Sequence, residues 1–103
     1  MFVTIWEFIV RANTIREFEF HYNANGTWVT FFQKGNGYLG TELLKDNTMN
    51  RKYVTMDKWI SEAAYQKFRE EHINEYQSLD AQCASLTESE THIGTYTTVT
   101  TNP

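Results

Sequence analysis

One stretch constrains the fold more than any other: in residues 53–86 a strand pattern runs without a linker into a long helical pattern. From Tyr53 to Ile60 the side chains alternate, and both faces defined by that alternation carry apolar groups. Because a solvated face would be polar throughout, we expect the sheet to be covered on both sides. Ser61 stands where a helix N-cap is expected, and a single long amphipathic helix is predicted to follow it.

The predicted helix carries one apolar and aromatic stripe. Its members recur at spacings of three and four, which places them on one helix face; they are Tyr65, Phe68, His72, Tyr76, Leu79, Cys83 and Leu86. Burying each large apolar side chain contributes about 1.5 to 3 kcal/mol before conformational entropy is subtracted. We therefore expect this stripe to pack on the sheet, and a charge at Phe68 to unfold the domain.

The other segments complete an order of strand, helix, strand, strand, helix, strand. Strands are predicted at residues 2–10, 38–45, 51–60 and 91–99, with helices at 15–22 and 27–34, and residues 100–103 are expected to fray. A capping box of Thr14 and Glu17 is predicted to start the first helix. With right-handed crossovers, this order gives an α+β, ferredoxin-like βαββαβ fold with an antiparallel four-stranded sheet.

The predicted sheet has helices on one face only, so its second apolar face needs another cover. A second copy of the chain is the simplest cover, and it would give a two-fold symmetric homodimer with its sheets packed together. The content of three Trp, six Tyr and seven Phe in 103 residues supports this expectation, because a small domain cannot bury so many aromatic side chains alone.

Composition argues against several classes of protein. Residues 1–103 are long enough for one domain, and a net charge of −4 without a basic run is not typical of nucleic-acid binding. The apolar run 2–10 contains Glu7 and is too short to span a bilayer, so no membrane association is predicted. The one cysteine, Cys83, lies on the helix stripe, and the three isolated histidines predict no metal site. A cytoplasmic protein is expected.

Four segments together resemble the antibiotic biosynthesis monooxygenase family of dimeric α/β barrels: WEF, GYLGTELL, YVTMDKWISEAAYQKFREEHINEY and LTESETHIGTY. The resemblance covers nearly the whole chain, and its most specific part is the strand that ends in Trp followed by Ser-Glu-Ala-Ala-Tyr. It implies a ferredoxin-like homodimer with a pocket between sheet and helices. The characterised members oxidise polycyclic phenols to quinones with molecular oxygen and no cofactor, and relatives with the same fold degrade haem.

The resemblance also nominates residues. Trp59 and Tyr65 match the spacing of the quinone-forming members, whereas Thr55 stands where those members have an asparagine. The expected catalytic residues are Asp57, His72 and Tyr65, and the expected substrate-binding residues are Trp6, Thr55, Trp59, Tyr65 and Phe68. Asp57 shares a strand face with Trp59 and would be a general base if it were buried there. His72 is the other candidate base, although a lone histidine on an apolar stripe is usually a core residue with one hydrogen bond.

Three functions remain open from the sequence. The first is a cofactor-independent monooxygenase that oxidises a small aromatic or phenolic substrate. The second is a dimeric small-molecule-binding protein without catalysis on the same scaffold, which the threonine at position 55 favours. The third and weaker one is haem binding or degradation, for which His72 lies near the axial position.

Overall fold

The fold is α+β and consists of one sheet with a layer of helices. The structure, a computed structural model, describes residues 1–100, so that only the first of residues 100–103 is included. Its elements are β1 (Phe2–Val10), α1 (Ile15–Tyr22), α2 (Thr27–Phe32), β2 (Tyr38–Lys45), β3 (Lys52–Trp59), α3 (Glu62–Glu71), α4 (Ile73–Cys83), a 3₁₀ turn (Ala84–Leu86) and β4 (Thr87–Thr97). None of the helices in residues 1–100 is long and apolar enough to cross a membrane.

The four strands form one antiparallel sheet in the order β2-β3-β1-β4. The central strand β1 pairs with β3 on one side and β4 on the other, so that Trp6 lies opposite both Thr55 and His92. Hairpin pairing of β2 with β3 is as predicted. The predicted ferredoxin-like βαββαβ topology is confirmed.

The helices cover the face that carries Tyr53, Thr55, Asp57 and Trp59. These residues lie opposite alternate members of β1, including Phe2 and Phe8, and all of them are buried. Glu7 points to the opposite side, which we call the outer face and define by Ile5, Leu44, Val54, Met56 and Tyr96. Leu44 and Tyr96 are about half exposed there, at 46% and 49%.

Aromatic rings fill the space between the sheet and the helices. Trp59 is completely buried, and its ring contacts those of Phe32, Tyr38, Tyr65 and Phe68 at centroid distances of 5.1 to 5.9 Å. Pairs of rings in this range contribute about 0.5 to 1.5 kcal/mol beyond their burial. The core of the domain is therefore an aromatic cluster that joins β3 to α2 and α3.

The helix after β3 starts as predicted but is not continuous. The Ser61 hydroxyl accepts a hydrogen bond of 3.1 Å from the Ala64 amide, which confirms the N-cap. At His72 the backbone leaves helical geometry, with φ −121° and ψ 28°, and α3 and α4 are separate helices. The prediction of a single long helix was therefore wrong. The stripe has the same period on both sides of His72, so a pattern of spacing cannot locate one non-helical residue.

Two further predictions about the ends of elements were wrong. The Thr14 side chain caps no helix amide. Its hydroxyl donates instead to the Leu86 carbonyl at 2.8 Å, and it lies 3.2 Å from the Arg11 carbonyl. A tertiary contact thus replaces the local capping box. β4 begins at Thr87 rather than at residue 91, because its pairing with β1 extends to Val10.

Candidate functional site

A narrow cavity, here called the inner cavity, lies between the helices and the sheet. The strands supply Trp6, Thr55 and Asp57 to its walls, and the helices supply Tyr22, Trp28 and Tyr76. About 40 Å³ remains in it once the radius of a water molecule is subtracted from the walls. That volume holds one or two water molecules, or the edge of a ring.

A larger side cavity adjoins the inner cavity. The two share Trp6, Tyr76, Asp80 and Glu90, and the side cavity is also lined by Tyr65, Arg69 and His92. Measured in the same way, its volume is about 390 Å³. This lies in the range of small-molecule sites, about 300 to 1,000 Å³.

Asp57 is the most buried carboxyl group that lines the inner cavity, within the described residues. Asp57 is 8% exposed, and its Oδ1 accepts a hydrogen bond of 2.7 Å from the Thr41 hydroxyl. Burial raises the pKa of the carboxyl group to about 6, although the bond from Thr41 acts in the opposite direction. At neutral pH the group is therefore mostly ionised and is a stronger base than an ordinary aspartate.

Two more carboxyl groups, Asp80 and Glu90, line both cavities. Burial raises the pKa of Glu90, and the nearby Asp80 raises it further. Within residues 1–100 neither group forms an ion pair with lysine or arginine, whereas outside the cavities Glu42 pairs with Lys58 and Glu88 with Arg51. Among the described residues, the charged side chains that line the inner cavity are therefore all acidic.

The side cavity also contains hydrogen-bond donors. Burial raises the pKa of Tyr65 and of Tyr76, so both phenols stay protonated at neutral pH. The Arg69 guanidinium lies over the Tyr76 ring, with its carbon 4.7 Å from the ring centroid. Its Nε is buried and has no hydrogen-bond partner within the described part of the chain. The Arg69 guanidinium also brings a positive charge to the wall of the side cavity.

The structure brings together four of the residues nominated from the sequence. Trp6, Thr55 and Asp57 line the inner cavity, and Trp6 and Tyr65 line the side cavity. Trp59 and Phe68 stand behind them in the aromatic core and line neither of these two cavities, as far as residues 1–100 are concerned. They support the ring of Tyr65 rather than facing the space beside it.

His72 is in a different place. Its ring packs on those of Phe31 and Phe68, and its Nδ1 is 3.5 Å from a carboxylate oxygen of Glu75 at the surface. Phe68 lies between it and Trp59. The structure therefore does not bring His72 to the cavity that contains Asp57.

Several residues of the site were missed at the level of sequence. Glu90 precedes the strand predicted at 91–99, although its alternation with His92 was a usable signal that both lie on β4. Asp80 and Arg69 lie off the apolar stripe and resemble solvated helix residues. In residues 1–100, no group of three His, Cys, Asp or Glu side chains is arranged to hold a metal ion.

Known structures share this architecture. SnoaB, a cofactor-independent oxygenase from Streptomyces nogalater, matches with a TM-score of 0.71 and 21% identity over 99% of this chain and 96% of that chain. A protein from Nitrosomonas europaea, proposed to be an antibiotic biosynthesis monooxygenase, matches with a TM-score of 0.69 and 13% identity. The match covers 97% of this chain and 100% of that chain. The fold of this chain is that of the antibiotic biosynthesis monooxygenases.

The same fold is found in a protein that binds a metalloporphyrin. A point mutant of MhuD, in a structure with two manganese protoporphyrin IX groups per active site, matches at a TM-score of 0.67 and 18% identity over 100% of this chain and 99% of that chain. No family model and no curated protein matches the sequence. The likeness predicted from the sequence segments is confirmed in the fold, and the reaction must be argued from the site.

Proposed function

We propose that the protein is a cofactor-independent monooxygenase that oxidises a small phenolic substrate with molecular oxygen. The observation that carries this proposal is a buried carboxylate, Asp57, whose pKa of about 6 makes it a base inside an aromatic-walled cavity. The fold likeness to a cofactor-independent oxygenase supports the same reaction class.

The proposed chemistry begins with removal of the phenolic proton by Asp57. The phenolate anion that remains shares its negative charge with the ring carbons. Tyr65 and Arg69 line the side cavity, and their donor groups stabilise this charge. An electron-rich ring carbon reduces O₂ and forms a carbon–oxygen bond. The resulting peroxide loses water, so that one oxygen atom enters the quinone product and the other leaves in water.

Cavity size restricts the substrate. The inner cavity admits only the edge of a ring, whereas the side cavity has room for a small molecule. A substrate of one or two rings would therefore lie in the side cavity, with its hydroxyl group directed past Trp6 toward Asp57. A large polycyclic phenol would not fit without movement of the helices.

The test is oxygen uptake with a panel of one-ring and two-ring phenols, followed by Asp57→Asn on whichever substrate reacts. We expect the substitution to lower kcat by about 100-fold or more, the usual contribution of a general base. Glu70→Gln is the matched control, because Glu70 is exposed on α3 and lines neither cavity within residues 1–100. Full activity in Asp57→Asn, or no oxygen uptake with any phenol, would overturn the proposal.

A second function, ligand binding without catalysis, is favoured by one observation. Thr55 holds the position of the family's asparagine and is 4% exposed, so it offers the inner cavity one hydroxyl in place of an amide. Quenching of the tryptophan fluorescence by a phenol, without oxygen uptake, is the result this function predicts. Haem chemistry is not proposed, because His72 lies away from both cavities.

We also propose that the protein is a homodimer that packs through the outer face. That face leaves Leu44 and Tyr96 about half exposed beside partly exposed Ile5, Val54 and Met56. Partly exposed apolar side chains on a sheet face that no helix covers are typical of an interface.

A further inference from the structure

Two hydroxyl groups on β2 form a directed hydrogen-bond chain to Asp57. The Thr41 hydroxyl donates to Asp57 Oδ1 at 2.7 Å, and the Tyr38 hydroxyl lies 2.5 Å from Thr41 Oγ1. A threonine hydroxyl has one hydrogen, and Thr41 uses it on Asp57. Tyr38 must therefore donate to Thr41, so both hydrogens of the chain point toward the carboxylate.

A β-bulge makes this chain possible. Residues three apart in a regular strand point to opposite faces, so Tyr38 and Thr41 would normally lie on opposite sides of β2. The pairing of β2 with β3 shifts between Tyr38 and Gly40, where Gly40 has φ +134°. The shift puts both hydroxyls on the helix-covered face, with Thr41 directly opposite Asp57. Bulges often re-aim side chains at functional sites in this way.

We propose that Thr41, oriented by Tyr38, is a positioning residue that holds Asp57 as a carboxylate facing the inner cavity. Oδ1 is occupied by Thr41, and Oδ2 has no hydrogen-bond partner in the described chain, which leaves it for a ligand. The consequence of this hydrogen bond for catalysis rests on the function proposed above. Its effect on the ionisation of Asp57 does not depend on that function.

The other groups around Asp57 do not provide this support. Tyr65 on α3 and Tyr76 on α4 are neutral phenols at pH 7, as is Tyr22 on α1. Asp80, also on α4, and Glu90 on β4 are acidic, and within the described residues neither donates a hydrogen bond to Asp57. Among residues 1–100, Thr41 is the one side chain that donates a hydrogen bond to the Asp57 carboxylate.

The test is the titration of the Asp57 carboxyl carbon by ¹³C NMR in the full chain. Thr41→Val keeps the shape of the side chain but removes the hydroxyl, and we expect the midpoint to rise by about one pH unit or more. Thr41→Ser should restore the original midpoint. Tyr38→Phe should give a smaller rise, because the Thr41 hydroxyl remains but is free to turn.

The matched control is Thr87→Val, since Thr87 is also a buried strand threonine but lies at the far end of β4. In this variant, the titration midpoint of Asp57 should equal that of the wild type. An unchanged midpoint in Thr41→Val, or no rescue by Thr41→Ser, would overturn the proposal. If a reactive phenol is found, the acidic limb of the kcat/KM profile should move with the NMR midpoint. If none is found, the NMR result still decides the role of Thr41.

Discussion

At the scale of single residues, Asp57 shows how burial changes a common side chain. An aspartate in water is ionised above about pH 4, but here the cavity wall removes most of its hydration and raises its pKa to about 6. Ionisation of the folded protein is thus less favourable than ionisation of the unfolded chain. The group consequently stabilises the fold fully below pH 3.8, and this contribution is lost as the pH rises through about 6.

This linkage predicts that Asp57→Asn stabilises the protein at high pH. The shift from 3.8 to about 6 corresponds to at most about 3 kcal/mol, because one pKa unit is worth about 1.36 kcal/mol. In thermal melts, the Tm of the variant should be higher than that of the wild type at pH 8, and the difference in Tm should narrow toward pH 5. Glu70→Gln should show no such gap. An equal gap at both pH values would mean that the Asp57 carboxyl titrates normally in the folded protein.

At the scale of elements, local irregularities position the site. The bulge in β2 turns Tyr38 toward Thr41, and the break at His72 separates α3, which carries Tyr65, from α4, which carries Tyr76. The bulge also brings the Tyr38 ring into the aromatic core beside Trp59. The irregularities therefore serve the cavity as well as the core, as is common at functional sites.

Gly40→Ala should test the importance of the bulge. A φ of +134° is strained for any residue with a Cβ, although open space surrounds the position. We expect a loss of about 1 to 3 kcal/mol in the free energy of unfolding, measured by urea denaturation. Leu39→Ala, an exposed neighbour on the same strand, should change it by no more than about 0.5 kcal/mol. A Gly40→Ala variant as stable as the wild type would show that the strand relaxes easily at this point.

At the scale of the whole molecule, the sheet has two unlike sides. Helices and an aromatic core cover one side, and the outer face remains open with Leu44 at 46% exposure. The proposed dimer would cover this second side. In a two-fold symmetric interface, a substitution acts once in each copy, so its effect on association is doubled.

Leu44→Glu is therefore expected to weaken the dimer by about tenfold or more, as measured by sedimentation equilibrium. Phe20→Glu is the control, because Phe20 is equally apolar and is 67% exposed, but lies on α1 away from the outer face. The Phe20→Glu variant should form the dimer as tightly as the wild type does. A monomeric wild-type protein, or equal weakening by both substitutions, would contradict packing through the outer face.

The sequence by itself determined the element types, the two apolar sheet faces and the helix face that packs. Each depends on a period of two or near 3.6, which is written in the order of the residues. The sheet topology follows from the order of the elements and from right-handed crossovers. The sequence also placed Trp6, Thr55, Asp57 and Tyr65 where the cavities lie. The family resemblance nominated Thr55 and Tyr65, and alternation along β3 placed Asp57 on the strand face of Trp59.

Only the tertiary structure decided the rest. Thr14 bonds Leu86 instead of its own helix, and Glu90 and Arg69 become cavity residues only through packing. His72 shares the helix stripe of Tyr65, yet Phe68 separates it from the cavity. Trp59 shares the strand of Asp57, yet the core encloses it. The physical reason is that a repeat in sequence specifies a face, whereas bulges, breaks and long-range contacts specify which members of that face meet a cavity.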